Sequence, residues 1–376
     1  MKEIEFWSSV ELATFQKGLV RALEDSGWKA SHRFEVSQSG YWRARSRLER
    51  LGLRIRTYLL YPLRVAAHYL GPDRGRIGVI CTNTFFAPWV ASMAVGRRRR
   101  PVIHWVLDLY PDVLVAAGAM RPESSFGRLV RRLVRSTFDR ASANVFLGSQ
   151  LREYAERQYG PIPRAFVIPV GCDAGPFREL KPAARPLGAP IRILYSGNLG
   201  RMHDTETFLT ALGYGLPRSV SIEFLGNGPA FRHLESQVRA LALGESIRFG
   251  ENLPEAEWVR AMCAADVGLV MMRPGAEGIV MPSKTYSCLA AGQAVLAICP
   301  ENSDLAQTVR AHGCGWVLNP GDASGLSALW KEMAAHPSEV LHKRQRAWQA
   351  GQNAFDQRKL VASWISVLDS VRQQDD

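Results

Sequence analysis

The chain has 376 residues, 47% of them apolar, which is long for a single core, points to two domains and excludes a disordered chain. The net charge of +12 lies wholly in residues 1–180, with 28 Lys and Arg against 16 Asp and Glu, while residues 181–376 hold 19 of each; a one-sided basic field suits polyanions, whether nucleic acid, anionic lipid or phosphorylated substrates. Six cysteines (81, 172, 263, 288, 299 and 314) without a C-x-x-C pair or metal spacing, and no run of 18 apolar residues, exclude a disulfide scaffold, a zinc module and a helical membrane span, leaving the core thiols of a cytosolic chain.

The opening Met-Lys-Glu-Ile-Glu does not read as a signal peptide. Residues 4–7 form a short strand. Residues 10–26 form a helix closed by Gly27, with Leu12, Phe15, Leu19 and Leu23 on one face, and residues 28–34 form a second strand. This is the β-α-β opening of a doubly wound sheet. Ser8-Ser9 stands where a Gly-rich turn would follow the first strand.

Residues 41–70 read as a basic amphipathic helix. Arg43, Arg47, Arg50 and Arg54 share one face, Leu48, Leu51, Ile55 and Tyr58 another, and Trp42, Tyr58 and Tyr61 are amphipathic aromatics. Two readings stay open: a helix lying on an anionic membrane surface, or one packed on its own domain with solvated arginines. Arg97 to Arg100 form a basic run, more often a solvated loop than a site.

Residues 76–83 have the pattern of a buried strand, and residues 102–108 form a strand that ends in an acid. Asp108-Leu109-Tyr110-Pro111-Asp112 lies just past its carboxyl end, where α/β sheets place ligands. A helix over 126–139, a strand over 143–147, a helix capped by Ser149 and the segment 166–173 close the first half. Residues 178–190, with three prolines and no apolar periodicity, read as the interdomain linker.

The second half opens with a strand over 191–195 and the loop Ser196-Gly197-Asn198-Leu199-Gly200-Arg201, after which Asp204 caps a helix. A strand over 221–225 ends in Gly226-Asn227-Gly228; a strand over 247–250, a helix over 254–264 and a strand over 266–271 follow. Glycines at successive strand ends let backbone approach a phosphate or nucleoside closely. The centre of the chain is residues 273–298, RPGAEGIVMPSKTYSCLAAGQAVLAI. Pro282-Ser283-Lys284 opens a helix, Ala290-Ala291-Gly292 ends it, and an apolar strand follows. A lysine in a first helical turn, beside unpaired N–H groups, proposes an anion site, in particular for a diphosphate; the plain alternative is a loop–helix–strand unit with a surface lysine. Residues 303–312, 315–318 and two final helical stretches complete the half.

The Pro282-Ser283-Lys284…Ala290-Ala291-Gly292 pattern resembles the donor-binding motif of bacterial family 4 glycosyltransferases, retaining enzymes of GT-B fold, in the branch that builds O-antigen, capsule or exopolysaccharide. Asp108 to Asp112 is similar to that branch's D-L-W-P-D, and residues 167–173 to V-I-P-N-G-V-D, with Val170 for Asn. The chain departs from the pattern where the family's two glutamates register, at Ile279 and Ser287. Glu277 is the nearest acid to the first, and Ser287 keeps a hydroxyl for the ribose, weaker than a carboxylate. In the registers of the family's first-loop cations stand Asn198 and His203, with Arg201 between them.

The resemblance implies an α/β chain of two doubly wound Rossmann-like domains facing across a cleft: 1–180 on the acceptor and membrane side, 191–354 for the donor, and a helix over 355–376 crossing back to the first. Asn198, Gly200, Arg201, Ser283 and Lys284 would hold the donor phosphates. Gly226, Asn227, Gly228, Asn252, Leu253 and Ser287 would hold the nucleoside, and Glu277 and Gly278 the sugar. Asp108, Lys284 and Arg201 are the catalytic candidates, and His104 and Asp112 the acceptor ones, though His104 also reads as a core histidine and Asp112 as a helix start. No D-x-D motif stands near a strand end, so metal-independent chemistry without a cofactor is expected. The implied reaction moves a sugar from a nucleotide-sugar, UDP-linked, to a polyprenyl-linked or glycan acceptor at the inner membrane surface. A sugar-nucleotide epimerase would share the donor loops without the basic surface. A nucleic-acid-binding protein would explain the charge but not the second half.

Overall fold

A computed structural model describes residues 2–11, 14–37, 40, 46–71, 75–82, 84, 86–93, 95, 100–186, 188–241 and 246–373. Leu12, Trp42, Arg43 and Arg97 to Arg99, and the side chains of Phe15 and Arg47, lie outside what is described. The chain divides into two units. The first comprises Met1–Val170, Gly278–Met281 and Gln357–Asp376, and the second Gly171–Glu277 and Pro282–Asp356.

The first unit is built on strands β1 (Glu3–Val10), β2 (Lys29–Val36), β3 (Ile77–Cys81), β4 (Val102–Val106), β5 (Ala143–Phe146) and β6 (Ala165–Val167). They run in the order β2-β1-β3-β4-β5-β6, all parallel. β1 is longer than its apolar core suggested. Pairing of Ser8 with Phe34 and Val10 with Val36 carries it through the serines expected in a turn. Ser8 is satisfied there by His32 Nε2 at 2.9 Å.

Residues 47–70 are helical throughout, but not as one regular helix. Arg47–Ile55 is followed by a π-helical turn, Arg56–Leu60, and then by Tyr61–Leu70. Ser46 and Glu49 close a capping box at its start. After the π turn, Tyr61, Val65 and Tyr69, spaced by four, pack on Trp7, Ile80, Ala87 and Val102. Leu48, Leu51, Ile55, Leu59, Leu63 and Leu70 stay 45–81% exposed. The segment therefore packs by one face and leaves an apolar stripe uncovered, a combination that neither sequence reading contained. Its cations are partly tied down, since Arg56 and Arg64 pair with the buried Glu35. Arg100 is also internal, donating to the His68 carbonyl at 2.7 Å and lying over the Tyr69 ring. Helix Gln357–Gln373 belongs to this unit, with Trp364 edge-on to Trp105 and Gln357 bonded to the Val170 carbonyl.

The second unit has β7 (Ile191–Asn198), β8 (Val220–Asn227), β9 (Ile247–Gly250), β10 (Val267–Met271), β11 (Ala294–Ile298) and β12 (Gly315–Leu318). Their order is β12-β11-β10-β7-β8-β9, again all parallel. Counted from β7, this is the 3-2-1-4-5-6 order of a dinucleotide-type sheet, whose direction reverses between β7 and β10. Ile193, Tyr195, Phe224, Leu269 and Leu296 pack with Phe208, Leu234 and Trp330 of its helices in the core. The proline-rich stretch 178–190 is fastened onto this unit. Arg178 meets Asp356 at 3.2 Å, Arg185 meets Asp266, and Arg344 donates to the Ala183 carbonyl. The division between units falls earlier, after Val170.

Candidate functional site

The switch point of the second sheet, between the carboxyl ends of β7 and β10, is where such sheets bind ligands, and Gly197, Asn198, His203, Gly226 to Gly228 and Lys284 gather there. Gly197, Gly226 and Gly228 have φ of +126°, +153° and +122°. A Cβ on Gly226 would come within 2.0 Å of the Gly197 carbonyl oxygen, and one on Gly228 within 2.3 Å of Asn198 Oδ1. Only glycine permits the ends of β7 and β8 to lie this close. The Leu199 N–H to Asn227 carbonyl bond at 2.8 Å joins the two loops into one ridge.

Lys284 opens the helix Lys284–Ala290, which Ser283 precedes without a side-chain cap. Its Nζ turns toward the ridge. It donates to the Tyr195 hydroxyl, lies 3.3 Å from His203 Nε2 and 3.5 Å from the Asn198 carbonyl, and sits 3.8 Å from the Tyr195 ring centroid. Among the described residues no carboxylate pairs with it. Burial draws its ammonium down to about 7. His203 is pushed down to about 3 by burial and by the lysine charge, and is neutral. His203 Nδ1 lies 3.0 Å from the Gly200 N–H and 3.1 Å from the Gly200 carbonyl, which ties the ring to the loop. Tyr195 and His203 thus form a cradle for the lysine. Tyr195 alternates with Ile193 on the inward face of β7, and its hydroxyl role has no local signal in the sequence.

Arg201 is exposed, and its carbonyl accepts from Arg273 at 3.4 Å. Asn198 and Asn252 are exposed; Gly200, Asn227, Leu253, Ser283 and Ser287 are half-buried. Ser287 is 3.9 Å from the Cys172 sulfur. Glu277 accepts from the Gly275 N–H at 2.7 Å.

In the first unit the N–H groups of Leu107 and Asp108 both donate to Thr82 Oγ1, at 2.9 and 3.2 Å, fixing the turn at the end of β4. Asp108 then pairs antiparallel with Val280, and Leu109 donates to the Ile279 carbonyl. Burial raises the Asp108 carboxyl to about 6. Gly278, at φ +71°, lies against Tyr154, where a Cβ would meet that side chain at 2.6 Å. Where acceptor-facing groups were expected, two internal ones stand. Asp112 is 2% exposed and is enclosed by Tyr159 (2.5 Å), Arg131 (3.2 Å) and Tyr154 (3.5 Å). His104 lies in mid-strand against Asn144 at 3.1 Å, and burial lowers it to about 4. Among the described residues no group of three His, Cys, Asp or Glu side chains could hold a metal ion, and no helix is long and apolar enough to cross a membrane.

Two parallel six-stranded sheets with helices wound around them make this an α/β chain of the GT-B fold, and residues 12–171 match the family model of the glycosyl transferase 4-like domain. A probable glycosyltransferase of Pseudomonas aeruginosa, WbjE, is 28% identical over 245 residues, which span 61% of this chain and 59% of that protein. The sucrose-phosphate synthase of Thermosynechococcus elongatus superposes with a TM-score of 0.76 at 16% identity, over the whole of both chains. HepE of Anabaena, solved in complex with UDP-glucose, gives 0.71 at 16% identity over 98% of this chain and 99% of its own.

Proposed function

We propose that the protein is a retaining glycosyltransferase that takes a sugar from a nucleotide-sugar, UDP-linked, and places it on a lipid-linked or glycan acceptor in cell-surface polysaccharide synthesis. The observation that carries this reading is Lys284: a carboxylate-free ammonium at the switch point, aimed along a glycine-built ridge. A cation so placed is matched to a diphosphate. In this reading the diphosphate departs toward Lys284 and Arg201. The acceptor hydroxyl attacks from the same face, its proton passing to the leaving phosphate oxygen, with Asp108 on the acceptor side. Gly226 to Gly228, Asn252 and Leu253 receive the nucleoside, and no metal or cofactor is required. HepE, which has the same fold, is known with UDP and with UDP-glucose bound, which supports the choice of donor. A panel of UDP- and GDP-sugars tests the reading through release of nucleoside diphosphate. No release from any donor would sink it, and donor isomerisation without transfer would favour the epimerase.

The same reading places the first unit on an anionic membrane surface, supported by the exposed leucine stripe over 48–70. Burying such side chains in a bilayer interface contributes about 1.5–3 kcal/mol each, so the attachment is apolar as well as electrostatic. Leu51→Glu with Leu59→Glu is expected to release the protein from anionic vesicles in sedimentation. Wild type should keep part of its binding in high salt, where charge attraction is screened. Equal sedimentation of variant and wild type would show the stripe to be an ordinary exposed surface.

A further inference from the structure

Parallel sheets are ordinarily covered on both faces. In the second unit the amino-terminal part of one face of β7, β8 and β9 is not, while Leu194 and Leu225 further along that face are buried. Arg192 lies beside Ser221, Leu194 beside Glu223, and Glu223 beside Arg248 in the parallel register. Arg192, Glu223 and Arg248 are all exposed. With Arg218 and Ser246 they line a cavity of about 460 Å³, to which Ala261 and Ala264 give depth. That size lies within the range of small-molecule sites. Among the described residues the guanidinium groups of Arg192, Arg218 and Arg248 form no ion pair. A second cavity of about 330 Å³ adjoins, sharing Arg192 and Ala264. Its Arg185 and Arg344 are both paired with Asp266, which also accepts the Arg192 N–H at 2.9 Å. The wall carrying Arg192 is therefore fixed in advance of any ligand.

We propose that this cavity is a second binding site, for a phosphorylated sugar. Three unpaired guanidinium forks match a phosphate group. One carboxylate and two hydroxyls, from Glu223, Ser221 and Ser246, match sugar hydroxyls. The site is separate from the Lys284 site. Arg192 and Asn198 stand at opposite ends of β7, six residues or roughly 20 Å apart. The assignment does not rest on the transferase reading.

Titration calorimetry on the whole chain tests it, with glucose 6-phosphate as probe and inorganic phosphate and glucose as its halves. Saturable binding of glucose 6-phosphate is expected. Arg192→Ala with Arg248→Ala should weaken it roughly 10-fold or more, as charged hydrogen bonds are lost. Glu223→Gln should weaken glucose 6-phosphate and spare inorganic phosphate, and Lys284→Ala should leave the glucose 6-phosphate affinity of this site unchanged. Absence of saturable binding at millimolar probe, or undiminished binding in the folded double-arginine variant, overturns the site. Loss of binding in Lys284→Ala would instead assign the ligand to the switch point, and an equal effect of Glu223→Gln on both probes would remove the sugar from the assignment.

Discussion

Replacing Lys284 with alanine is expected to lower kcat for sugar transfer roughly 100-fold or more, by analogy with loss of one preorganised donor to a developing negative charge. Charge builds on the departing phosphate as the glycosidic bond breaks, so the ammonium acts more on the transition state than on bound donor. The fold should survive, because Tyr195 and His203 keep their other partners, the Asn198 carbonyl and the Gly200 backbone. Lys284→Arg should recover part of the rate, a fork being wider than an ammonium. The protonated fraction of Lys284 falls as pH rises through about 7, so kcat should fall above neutrality in wild type and stay flat in Lys284→Arg. Stability moves the other way. The folded lysine releases its proton before the unfolded one, whose ordinary value is 10.5, so the unfolded chain holds more protons in that window and stability rises with pH across it. Wild-type turnover by Lys284→Ala would remove the phosphate site and the mechanism with it.

Asp266→Ala is expected to destabilise the second unit by about 3–5 kcal/mol, the cost of breaking a buried ion pair from one side. Asp266 is 1% exposed and lies 2.5 Å from Arg185 Nε and 2.9 Å from Arg344 Nη1. Without it two guanidinium groups lose their counter-charge at once. Arg344 is itself nearly buried, held also by the Gly292 and Ala183 carbonyls. Asp266→Asn keeps an acceptor for the Arg192 N–H and should cost less. Denaturant unfolding followed by circular dichroism measures the difference, and a change within about 0.5 kcal/mol, the scale of an ordinary surface substitution, would refute the network's role.

The two β-α series and the Pro282 to Ile298 unit were readable in the sequence because their signals are local: apolar runs between turn residues and a helix opened by Pro and closed by Gly. What escaped reading depends on distant partners. Val280 pairs with Asp108 across some 170 positions of chain, and nothing in an eight-residue Gly-containing loop announces a bridge. The π turn at Arg56–Leu60 rotates the helix face so that Tyr61 and Val65 enter the core while Leu59 and Leu63 leave it; a uniform 3.6-residue period cannot show this. Arg185 and Arg344 meet only through Asp266, which lies far from both in sequence. His203 stood in the register of a cation, and only its burial beside Lys284 shows it to be neutral.

The first unit takes residues from three separate places along the chain, and helix Gln357–Gln373 is the last of them. Synthesis proceeds from the amino end at about 5–20 residues per second, so β1 to β6 emerge from the ribosome well before the helix that packs Trp364 on Trp105. Over roughly 10–40 s by the same rates, Trp105 lacks its partner while the whole of the second unit is made. The usual order of domain folding is thereby reversed: the half that is made first is finished last. Nascent chains halted after residue 170 should be protease-sensitive, whereas chains halted after residue 356 should already protect the second unit, and protection of the first unit in the shorter chains would contradict this order.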